Sequence, residues 1–229
     1  HVMQIELINR PGNTAAKITR AAGESCTTES GAMIAMSGNM QITTSTHKKG
    51  SGSLLKALKR LVAGESLFLN HFTPQGGAGE LWLGTSLAGD MMSLTLDREN
   101  LIVQGSSFLA CEDGIDIDLG WQGFKSVLAG ESVFWVNLKG SGQIVLSSFG
   151  AIYPVEIDGD YIVDTGHIVA FSETLDFSIT KAGSSWLHSI LGGEGLVCKF
   201  SGKGTVWCQS HNPLSFGHAL TSGLRPRKV

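Results

Sequence analysis

The sequence predicts an all-β protein of three tandem β-sandwich repeats, with short amphipathic helices, in a pseudo-threefold arrangement. Three observations carry that expectation. Glycine supplies 30 of the 229 residues and proline only 5, so glycine runs at nearly twice its usual share of roughly 7%. The dipeptide Gly-Glu returns at Gly64-Glu65, Gly130-Glu131 and Gly193-Glu194, each time inside the same apolar pattern. Hydrophobic residues make up 42% and charged residues 16%, a balance that supports a buried core and excludes intrinsic disorder. The glycines have no period of three, which excludes a collagen-like chain.

Each predicted element follows from spacing. Anchored on Ala35, Ala110 and Ala170, the fifth residue on is Met40, Ile115 or Leu175, and the seventh is Ile42, Ile117 or Phe177. Apolar residues two apart mark one face of a strand. Before each Gly-Glu come Leu58, Leu61 and Val62, then Phe124, Val127 and Leu128, then Leu187, Ile190 and Leu191. That is the spacing of one helix face, and a glycine follows where a helix end favours one. After each Gly-Glu an apolar pair (Leu67-Phe68, Val133-Phe134, Leu196-Val197) leads to a Gly-x-Gly at Gly77, Gly140 or Gly202. Leu81-Trp82-Leu83, Ile144-Val145-Leu146 and Val206-Trp207-Cys208 come next. Apolar run, glycine turn, apolar run reads as a β-hairpin.

The resulting organisation is an N-terminal strand and lead-in over 1–23, repeats over 24–86, 97–150 and 160–213, and a C-terminal tail over 214–229. A unit of about 55 residues buries little core alone. Packing edge to edge against its siblings would stabilise it and cover its open strand edges.

The stretches LKRLVAGESLFLNHF, VDTGHIVAF and GGEGLVCKFSGKGTVWCQS carry a resemblance. They look like the altered-inheritance-of-mitochondria (mitochondrial biogenesis) family, in order, from Ile5 to Gln209. VDTGH at Val163–His167 followed by GGEGL at Gly192–Leu196 is the specific part. The resemblance implies a fold similar to the tryptophan RNA-binding attenuation protein, with the β-sandwich unit repeated three times per chain. It also implies a homotrimer closing a nine-unit ring. Eukaryotic relatives are mitochondrial and associated with inner-membrane organisation. No transit peptide is visible, so the chain looks like a prokaryotic member and is expected in the cytoplasm. The family supplies no established catalytic residues.

Candidate chemistry is sparse. Net charge is −3, from 17 basic and 20 acidic residues, which offers no field to attract nucleic acid. No apolar run approaches the roughly 20 residues of a membrane-spanning helix. Cys26, Cys111, Cys198 and Cys208 show no metal-ligand spacing. Cys26 and Cys111 read as small buried apolar groups, and Cys198 and Cys208 as reduced thiols flanking a hairpin, a cross-strand disulfide being the alternative. Neither a cofactor nor a metal is called for. His167 beside Asp164 could bind a ligand or act as a base, or could tie a strand to a turn. Glu65, Glu131 and Glu194 recur at one repeat position and could form a carboxylate belt, or bond turn backbone. Lys48 and Lys49 open the most basic stretch, a candidate contact for an anion, a lipid headgroup or a protein partner. Asp116 and Asp118 alternate with Ile115, Ile117 and Leu119, as a solvated strand face does. The expected function is a non-enzymatic, ring-forming scaffold or binding protein that partners itself, with a protein or membrane-associated partner as a further candidate. The alternatives are a small-ligand binder or an enzyme using a repeat interface, and a nucleic-acid-binding ring by fold analogy.

Overall fold

The computed structural model describes residues 1–45, 67–121, 123, 134–181 and 196–224. The class is all-β. The strands are β1 (Gln4–Ile8), β2 (Ala15–Arg20), β3 (Cys26–Glu29), β4 (Met33–Met36), β5 (Met40–Ser45), β6 (Leu69–Pro74) and β7 (Gly79–Leu83). They continue as β8 (Met91–Gln104), β9 (Phe108–Glu112), β10 (Ile115–Asp118), β11 (Trp135–Ser147) and β12 (Ile152–Asp158). The last are β13 (Tyr161–Asp164), β14 (Ile168–Ser172), β15 (Asp176–Lys181), β16 (Leu196–Ser201) and β17 (Lys203–Gln209), followed by the helix α1 (Pro213–Thr221). The three expected amphipathic helices lie outside the described residues. Helix α1 falls in the expected tail. Asn212 caps it by accepting hydrogen bonds from Leu214 N and Ser215 N at 2.9 and 3.4 Å, and Pro213 supplies a first helical residue with no N–H to satisfy.

Strand pairing runs in the same order along three stretches of chain. In the first, β2 and β4 flank β7, while β3 and β5 flank β6. In the second, the start of β8 and β9 flank the end of β11, while the end of β8 and β10 flank its start. In the third, β12 and β14 flank β17, while β13 and β15 flank β16. Neighbouring stretches also share sheet: β3 pairs with β9, and β8 with β14, both antiparallel. The strands β2 and β12 that open two of these patterns begin before the boundaries at 24 and 160, and β8 straddles the one at 97.

The Gly-x-Gly segments do not make hairpins. No register joins β6 to β7 or β16 to β17, because each partner belongs to a different sheet. In the second stretch the segment is a kink within one continuous strand of 13 residues. Gly140 there has φ 113°, and the register with β8 shifts between Gly140 and Ser141. Arg98 is left over on the facing strand with φ 58°, a β-bulge that bends both strands within the ten-stranded sheet they share. A Cβ at Gly140 would sit 2.4 Å from the Gly114 carbonyl oxygen, so only glycine fits. A corner between sheets and a hairpin need the same residue, so sequence alone reads one as the other. The same correction applies to Cys198 and Cys208. They lie on β16 and β17 in different sheets; both are buried and neither forms a disulfide, and Cys26 and Cys111 are buried thiols as well.

Three apolar clusters form the core, and each borrows from a neighbour. Ile18, Leu81, Cys26 and Phe72 of the first stretch pack with Leu109 and Val145 of the second. Val169 and Ala170 of β14 join the cluster built on Leu101, Phe108, Leu138 and Ile144. Ile102 and Trp135 of the second stretch enter the third cluster beside Phe171 and Phe200. There Phe171 stands 6.1 Å from Trp135, 5.4 Å from Phe177 and 5.1 Å from Phe200, centroid to centroid. Tilted aromatic pairs at this spacing add about 0.5–1.5 kcal/mol each beyond the area they bury. Among the described residues each stretch shares its core with a neighbour, so sharing strands is part of what holds each one folded.

Candidate functional site

Of the residues singled out in sequence, Asp164 and His167 fall in the described part of the chain. Glu65, Glu131, Glu194, Lys48 and Lys49 lie outside it. Asp164 ends β13, and its Oδ1 accepts from Gly166 N at 2.8 Å, opening the tight turn Thr165–His167. His167 Nδ1 lies 2.8 Å from the Gln209 carbonyl oxygen, an acceptor, so that nitrogen donates. The Gln209 side chain, 4% exposed, donates through Nε2 to Gly166 O at 3.0 Å and accepts at Oε1 from Phe149 N at 2.9 Å. A Cβ at Gly166 would meet the Asn212 amide within 2.5 Å. VDTGH therefore acts as a clip between the start of β14, the end of β17 and the chain leaving β11. Sequence reading missed Gln209, which lies far along the chain from the motif it completes.

Asp118 is held ionised by Gly120 N at 2.8 Å and Lys139 Nζ at 3.1 Å; both bonds outweigh burial and lower its pKa. Burial pushes the Cys198 and Cys208 thiols up, to about 12 and about 11, and raises Cys26 as well. Such thiols stay protonated at neutral pH and are poor nucleophiles. Among the described residues no group of His, Cys, Asp and Glu could hold a metal ion. No described helix is long and apolar enough to cross a membrane.

The strongest site-like feature is a pair of open strand edges. At the first closed joint Thr28 of β3 lies opposite Ala110 of β9; at the second Val103 of β8 lies opposite Ala170 of β14. The third alanine in that position is Ala35 on β4, which faces Trp82 as Ala110 faces Val145 and Ala170 faces Trp207. Each of these strands bulges at the residue before its alanine: Ile34, Leu109 and Val169. Leu109 and Val169 are fully buried, whereas Ile34 is 60% exposed. Met36 is exposed too, while its counterparts Cys111 and Phe171 are buried. At the other end, among the described residues β13 pairs only with β16 and exposes Tyr161 and Ile162. Their counterparts Leu101 and Ile102 on β8 are buried and paired with β14. Exposed, apolar, unpaired edges are the surfaces that soluble proteins normally charge, shorten or cover. Nothing in the residue types flagged them, since Ile34 reads like Leu109; the signal was the number of joints, two closed and one strand of each kind left over.

The architecture defines an all-β protein of several antiparallel sheets whose strands pair between successive stretches of chain. The chain belongs to the mitochondrial biogenesis AIM24 family, whose family model matches residues 5–211. It is 30% identical over 204 residues to an uncharacterized protein of Streptococcus pyogenes serotype M6, covering 86% of this chain and 82% of that one. A crystal structure of a Streptococcus pyogenes protein superposes with a TM-score of 0.78 at 28% identity, covering 97% of this chain and all of the other.

Proposed function

We propose that the chain is a triplicated, non-catalytic scaffold that associates head to tail into a homotrimeric ring of nine sandwiches, with β13 of one copy pairing against β4 of the next. One observation carries the reading. Two internal joints of a single kind are closed, and the two strands that would make a third are open and apolar. Continuing the register puts Val163 opposite Ala35 of the next copy, Ile162 opposite Met36 and Tyr161 opposite Ser37. Each large apolar side chain that becomes buried contributes at most about 1.5–3 kcal/mol. A head-to-tail contact generates either a closed ring or an open filament, and the resemblance to a ring-forming fold favours closure by three copies. The inert thiols and the structural bonds of His167 and Asp164 support a scaffold over an enzyme.

Light scattering tests the reading. Wild-type protein at micromolar concentration is expected at three times the 24.2 kDa chain mass. Ile34→Lys places a charge in the joint and is expected to yield a monomer. A wild-type monomer ends the proposal.

A further inference from the structure

The two closed joints differ in what fills the space beside them. At the second joint, Gln104 ends β8, His167 precedes β14 and Gln209 ends β17. Gln104 Oε1 accepts from the Ser106 hydroxyl, and His167 and Gln209 fill the corner with the bonds described above. At the first joint the matching residues are Glu29 at the end of β3, Ser107 before β9 and Ser147 at the end of β11. Two large side chains have become serines and a neutral amide has become a carboxylate. Beside this joint lies a cavity of about 200 Å³ lined by Glu29, Ser30, Ser106, Ser107, Ser147 and Ser148, and also by Gln209.

We propose that this cavity binds a small primary-ammonium ligand, with Glu29 as the counter-ion and the serine hydroxyls as further acceptors. The walls are hydroxyl-rich, and no lysine, arginine or histidine is among the described residues that line them. Among the described residues nothing donates to the Glu29 carboxylate, and burial alone raises its pKa to about 7. An ammonium supplies both the missing positive charge and N–H donors, and a charge-assisted bond of this kind is about twice as strong as a neutral one. The volume is below the roughly 300–1,000 Å³ of sites for drug-sized ligands, which limits the occupant to a short amine. A calcium ion would need six to eight oxygens, typically with several carboxylates, and the cavity brings one. The site lies within a single chain and does not depend on ring closure.

Calorimetric titration with ethanolamine tests the proposal. Binding is expected to strengthen as pH rises through about 7, because only the ionised Glu29 accepts the ammonium. Glu29→Gln is expected to weaken it about tenfold or more. A Ser107→His, Ser147→Gln double variant copies the second joint and is expected to abolish binding while retaining Glu29, with its fold checked by circular dichroism. Glycerophosphoethanolamine, titrated in parallel, separates the sources. Tighter binding of ethanolamine assigns a free amine, and tighter binding of the phosphodiester assigns a lipid headgroup. Absence of binding by both amines, unchanged affinity in Glu29→Gln, or binding that tightens as pH falls overturns the site.

Discussion

The joint between β8 and β14 is closed by strand pairing, packed by Phe171 against Trp135, and locked at its end by His167 and Gln209. The joint between β3 and β9 has the same pairing, and its end holds serines around a lone carboxylate. The edges at β4 and β13 keep the apolar residues of such a joint, with nothing among the described residues paired across them. The backbone ladder and apolar strand faces are therefore the part these regions have in common. What lies at the end of the ladder is free to vary, because it sits beyond the last paired residue and costs the sheet nothing.

The comparison can be broken at several points. Ile34→Lys has the largest expected effect, complete loss of the assembled species in light scattering, with an unfolding midpoint for the isolated chain close to that of the native monomeric unit. Phe171→Ala opens the second joint's aromatic cluster and is expected to cost about 3–5 kcal/mol in urea denaturation. Gln209→Ala leaves Phe149 N and Gly166 O without their partner. That should cost about 1–3 kcal/mol, and faster amide exchange at Phe149 would locate the loss. Removing the Glu29 charge has the smallest and most conditional effect. Its folded pKa of about 7 lies above the unfolded value of 4.5, so the folded state binds the extra proton. Its contribution is fully present below 4.5 and is lost as pH rises through about 7. Glu29→Gln should flatten that fall in stability, by at most about 3 kcal/mol, in melts across the same window. An unchanged pH slope would show that the carboxylate is not desolvated.

Much of the architecture was legible in residue order. Alternation at Ile115 and Ile117 marked β10, whose two isoleucines are buried while Asp116 faces out. The burial of Cys26 and Cys111 followed from their apolar neighbours. VDTGH was recognisable as a motif, but its partner Gln209 was not, since a hydrogen bond over 42 or 43 residues leaves no local pattern. The hairpin reading failed at Gly140 and Gly202 for a related reason: glycine permits a sharp bend and does not specify which sheet the next strand joins.

Sequence by itself determined the all-β class, the alternating faces of strands such as β10, the glycines at which the chain bends, and the family. These rest on side-chain periodicity and backbone freedom, which act over a few residues. Only the tertiary structure decided which strands pair, which apolar edges are left uncovered among the described residues, and where a half-buried carboxylate lines a cavity. Those depend on residues far apart in the chain arriving at one place, and an isoleucine carries no mark of whether a neighbour will cover it.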